Sequence, residues 1–78
     1  MNTYLATFYT HSDALVSHRS LTAAGISARM MPVPRRVSAS CGTCVCYESA
    51  TPMASALKEY EAIYRVEALE YRPEVEAP

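Results

Sequence analysis

Tyr4-Leu5-Ala6-Thr7-Phe8-Tyr9-Thr10-His11-Ser12-Asp13 holds a change of period that decides how the chain folds. From Tyr4 to Tyr9 aromatic and aliphatic residues follow one another as in a strand, with Tyr4, Ala6 and Phe8 on one side and Leu5, Thr7 and Tyr9 on the other. The next residues start a helix. The Thr10 hydroxyl can accept the amide N–H three residues on, and Asp13 places its negative charge near the positive helix end. Leu15, His18, Leu21 and Thr22 share a face with Ala14, and Gly25 supplies a left-handed stop after about Ala24.

The same alternation of periods continues outward. Ile26 to Met31 is a second strand, ended by Pro32 and Pro34, which cannot donate to a ladder. Thr43 to Tyr47 is a short third strand. Pro52 suits the first turn of a second helix, along which Met53, Ala56, Leu57 and Tyr60 recur at helical spacing. Strand character resumes from Ala62 to Tyr71, where Tyr64, Val66 and Ala68 alternate with Arg65 and Glu67 and mark the side facing the helices. The order strand-helix-strand-strand-helix-strand is a ferredoxin-like βαββαβ arrangement of the α+β class, an antiparallel sheet with two helices on one face. Residues 1–71 form that single domain, and residues 72–78 read as a frayed tail.

Composition bounds the function. The chain has 78 residues, 50% hydrophobic and 19% charged, with a formal net charge of −1. These values describe a folded domain without a field to attract a polyanion, so nucleic acid is not an expected partner. Neither a basic leader nor a run of about 20 apolar residues is present, which points to a cytoplasmic location away from any membrane. A domain this small has a modest core, and the open sheet face offers a surface for a homodimer.

The chemistry concentrates in Pro32-Val33-Pro34-Arg35-Arg36-Val37-Ser38-Ala39-Ser40-Cys41-Gly42-Thr43-Cys44-Val45-Cys46. A thiol becomes a good nucleophile as its thiolate, which cations and converging amides favour. Arg35 and Arg36 supply positive charge. Gly42 lets the backbone approach closely, so that amides beside Cys41 can form an anion nest. Cys41 and Cys44 have the C-x-x-C spacing of dithiol pairs, with Cys44 placed as a resolving thiol, although strand residues rather than a helix follow. Cys44 and Cys46 lie about 6.6 Å apart on one strand face, at the long limit for a disulfide, and are expected to stay reduced. Val45 and Tyr47 then face the core. The three cysteines, with His11 or His18, also offer donors of the zinc or copper(I) type, the basis of an alternative metal- or redox-responsive binding module. One C-x-x-C pair is short of the two that structural zinc usually uses, so neither a metal nor a cofactor is expected. Glycine-rich phosphate loops and serine-type catalytic constellations are absent, which favours a non-enzymatic role.

The run Pro32-x-Pro34-Arg35-x-Val37-Ser38-x-Ser40-Cys41-Gly42, with Tyr4-Leu5-Ala6-x-Phe8 before it and Ala62-Ile63-Tyr64 after it, resembles the selenium/sulfur carrier protein-like family of small bacterial proteins. The resemblance spans about Tyr4 to Glu67. It implies a thiol that holds sulfur or selenium, as a persulfide or its selenium counterpart, between donor and acceptor proteins. It assigns that role to Cys41 with Gly42, supported by Arg35, Ser38 and Ser40, while Cys44 and Cys46 are thiols beyond the family pattern; Arg36 joins the binding residues through its own charge beside Arg35.

Overall fold

The computed structural model describes residues 1–77. Strand β1 (Asn2–Phe8) is followed by helix α1 (His11–Ala23), strands β2 (Ser27–Pro32) and β3 (Thr43–Ser49), a single 3-10 turn at Ala54–Ala56, and strands β4 (Tyr60–Glu67) and β5 (Glu70–Glu76). The strands form one antiparallel sheet in the order β2-β3-β1-β4-β5. Because β3 lies between β1 and β2, α1 bridges a split pair and packs across one face of the sheet.

Local chemistry fixes both ends of α1. Thr10 is the N-cap: its Oγ1 accepts the Asp13 amide at 3.1 Å and donates to the Asp13 carboxylate at 2.9 Å. At the other end the Ile26 amide bonds the Leu21 carbonyl at 2.9 Å and the Gly25 amide bonds Thr22 at 3.0 Å, with Gly25 at φ 80°. This paired closure needs the left-handed position that glycine takes without strain. The buried face of α1 is Ala14, Ser17 and Leu21, whereas Thr22 is exposed.

Strand β1 is buried without interruption from Tyr4 to Phe8 because both sheet faces are covered at its centre. On the helix side Tyr4, Phe8, Leu21, Val45, Tyr47 and Ile63 form the main core. The Tyr4 and Tyr47 rings, paired across β1 and β3, stand 5.6 Å apart at 30°. On the opposite side Leu5, Val37 and Cys44 make a second cluster flanked by Met31, Val33, Tyr64, Val66 and Tyr71. The face expected to be open is therefore partly covered, by the long β2–β3 loop.

Other expectations are corrected as well. The second helix is absent: residues between β3 and β4 form a loop with only the Ala54–Ala56 turn. Met53 (φ 55°) and Glu59 (φ 51°) are left-handed, and so short a segment repays helix nucleation poorly. The loop is held instead by Tyr47 donating its hydroxyl hydrogen bond to the Pro52 carbonyl and by the Lys58 amide donating to Ser17 Oγ at 2.8 Å. The second correction concerns the C-terminal strand, which is a hairpin: Glu67 pairs with Glu70, and Ala68 (φ 54°) begins a two-residue turn. Residues 72–76, expected to fray, belong to β5; Pro78 of that tail lies outside the described residues. Finally, Tyr64 and Val66 pair with Leu5 and Thr3 and lie on the face away from α1, while Ile63 faces the helix.

Candidate functional site

The β2–β3 loop, residues 33–42, is shaped by a small number of contacts. Its neck is closed by the Val33 amide bonding the Gly42 carbonyl at 3.0 Å. A turn follows, in which the Val37 amide bonds the Pro34 carbonyl at 3.0 Å. Pro34 introduces that turn with a fixed φ, and Arg35 and Arg36 occupy its two central positions, exposed to solvent. Val37 then folds under the turn, 7% exposed, against Leu5 and Cys44. Fully burying a side chain of this size stabilises by about 1.5–3 kcal/mol, enough to pin the middle of the loop to the sheet.

Ser40 anchors the far arm. Its backbone amide donates to Glu61 Oε1 at 3.0 Å and its hydroxyl donates to Glu61 Oε2 at 2.6 Å. Cys41 follows, partly exposed, between this clamp and the Val33–Gly42 neck. Thr43, the first residue of β3, is joined to α1 by a 3.2 Å contact between its Oγ1 and His11 Nδ1. The helix start, the end of the loop and β4 thus converge near Cys41.

The other thiols differ in setting. Cys44 is fully buried and its Sγ donates to the Met31 carbonyl at 3.5 Å and the Pro32 carbonyl at 3.7 Å. Burial, followed by the neighbouring Cys46 and Cys41, pushes its pKa from 9.0 up to about 11, so at neutral pH it is held as a thiol. Cys46 is partly exposed, opposite Leu5 on one side and Arg29 on the other. All three cysteines are free. Val45 and Tyr47 face the core as their alternation implied, and burial, then Tyr4, raises the Tyr47 hydroxyl well above its ordinary value.

Some predicted supporting residues come together and others do not. Ser40 and Gly42 flank Cys41 with their backbones already engaged. Arg36 donates from Nη1 to the Leu69 carbonyl at 3.1 Å, tying the loop to the β4–β5 turn. Among the described residues no hydrogen bond or ion pair joins Arg35 or Arg36 to Cys41, and Ser38 is exposed without a side-chain hydrogen bond. His18 contacts the Ala28 carbonyl at 3.2 Å, away from the cysteines. No group of three or more His, Cys, Asp or Glu side chains is arranged to hold a metal ion among the described residues. Glu61 and Leu69 escaped the sequence reading because their partners are 21 and 33 residues distant.

These features define a small α+β protein with a partly exposed cysteine on a braced loop at one end of its sheet. Residues 3–72 match the family described as "Putative Se/S carrier protein-like", and the chain belongs to that family. No curated protein and no solved structure matches it. No helix among the described residues is long and apolar enough to cross a membrane.

Proposed function

We propose that Cys41 is the thiol on which this protein carries sulfur or selenium between partner proteins. One observation carries the reading: Cys41 is partly exposed between two backbone anchors, Ser40 on Glu61 and Gly42 on Val33. Family membership supplies the kind of cargo. A thiol so placed can be reached by a large donor, while anchored backbone lowers the ordering cost of docking.

The Cys41 thiolate attacks the outer sulfur of a donor persulfide. The donor S–S bond breaks, its electron pair leaves on the donor thiolate, and Cys41 becomes a persulfide. In delivery an acceptor thiolate attacks that same outer atom, and Cys41 leaves as its thiolate. No net oxidant is consumed. Selenium in the outer position follows the same path. Cys44, buried and protonated, takes no part in this sequence, and discharge falls to the acceptor's own thiol. Arg35, on the outer turn, is free to meet an acidic surface of the donor or acceptor.

The test is to treat the protein with glutathione persulfide and map the added sulfur by mass spectrometry. One added sulfur on the Cys41 peptide is expected, lost in Cys41→Ser and retained in Cys46→Ser. Loading that persists without Cys41 overturns the assignment.

A further inference from the structure

The sheet face away from α1 carries a second polar constellation that the carrier chemistry does not use. Cross-strand register sets Cys46 directly opposite Arg29, and Glu48 directly opposite Ser27 on one side and Thr3 on the other. Side chains two apart on a strand share a face, so Cys46 and Glu48 stand together with Arg29, Ser27 and Thr3. All five line a surface pocket of about 370 Å³. That volume is at the small end of ligand pockets, about 300–1,000 Å³. Arg29 is exposed and makes no salt bridge among the described residues. Leu5, fully buried, is the cross-strand partner of Cys46 on β1 and gives the thiol an apolar neighbour on that side.

A thiol, an uncommitted guanidinium, a carboxylate and two hydroxyls in one small pocket match the groups of an amino-acid-type thiol, which has sulfur, carboxylate and ammonium within a short molecule. We propose that this pocket is a modification site at which Cys46 forms a mixed disulfide with a small amino-acid-type disulfide, its carboxylate on Arg29 and its ammonium on Glu48. The Cys46 thiolate attacks one sulfur of the disulfide, and the old S–S bond breaks. A new bond joins Cys46 to one half. The other half departs as a thiolate that takes up the proton Cys46 released, so Cys46 is oxidised and the departing half is reduced. Carboxylate and guanidinium are natural bidentate partners, which orients the incoming sulfur toward Cys46. The inference is independent of Cys41.

The experiment exposes the full chain to cystine or to neutral hydroxyethyl disulfide and follows the Cys46 peptide by mass spectrometry. Each rate is divided by that of the same chain unfolded in urea, which removes the intrinsic reactivity of the reagent. The normalised rate for cystine should exceed that for the neutral reagent by roughly fivefold, the scale of an exposed ion pair. Arg29→Gln should abolish the difference and Arg29→Lys should keep part of it. Equal normalised rates for the two reagents in the wild-type chain, a difference that survives Arg29→Gln, or adducts confined to Cys41 would overturn the proposal.

Discussion

Glu61 holds Ser40 with both carboxylate oxygens, one on the backbone amide at 3.0 Å and the other on the hydroxyl at 2.6 Å. The clamp ties the residue before Cys41 to β4, the neighbour of central strand β1. Without it the arm between Val37 and Gly42 keeps only its ends. Glu61→Ala should lower stability by about 1 kcal/mol, since the hydrogen bonds are charge-assisted but exposed. The Ser40 amide should exchange with solvent faster, as amide exchange read by NMR will show. Unchanged protection at Ser40 would mean that the clamp does not order the loop.

Val37 packs with Leu5 and Cys44 in the cluster on the face away from α1. Val37→Ala removes two buried methyl-sized groups, for a cost of about 1–2 kcal/mol in urea unfolding. It should also make Cys44 reactive toward a small maleimide under native conditions, read by peptide mapping. A Cys44 that stays as unreactive as in the wild type would place its protection elsewhere.

The raised pKa of Cys44 sets a direction for alkaline stability. Below pH 9 the folded and unfolded chains both keep the proton. Between the unfolded value of 9.0 and the folded value of about 11 the unfolded chain releases the proton while the folded chain retains it. The stabilising contribution is thus complete below pH 9 and is lost as pH rises toward 11, by up to about 2–3 kcal/mol. Urea unfolding at neutral pH and near pH 11 should show a smaller alkaline loss in Cys44→Ala than in the wild type. Equal losses would contradict the burial that raises this thiol.

At the start of α1, Thr10→Ala removes the hydroxyl that accepts the Asp13 amide. A loss of about 1 kcal/mol in thermal or urea unfolding is expected. Thr10→Ser should retain most of the stability, because the hydroxyl is what caps.

The caps, the glycine stop and the first three strands were legible because each rests on chemistry within a few residues, as at Thr10 with Asp13 and Gly25 with Thr22. The second helix was misread because Met53, Ala56, Leu57 and Tyr60 have helical spacing, yet their segment is held by the Tyr47 hydroxyl on the Pro52 carbonyl and by the Lys58 amide on Ser17, contacts that helical spacing does not encode. The β4–β5 hairpin was hidden because Ala68 and Leu69 carry none of the glycine or asparagine signals that mark a two-residue turn. At the site, the cysteines and their loop stood out in the sequence, but which thiol is sealed depends on Val37 folding onto Leu5 across the sheet. The arginines beside Cys41 looked like thiolate partners from adjacency alone. Their place at the apex of a turn sends Arg36 to Leu69 instead.

The most direct measurement uses a chain whose only cysteine is Cys41, prepared with Cys44→Ala and Cys46→Ser. Loaded from glutathione persulfide and mixed with a thiol acceptor, it should take up one sulfur and surrender it, with rates close to those of the wild-type chain. A Cys41-only chain that fails to load although it is folded, or one that loads but releases sulfur only when Cys44 is restored, would contradict Cys41 as a self-sufficient carrier thiol.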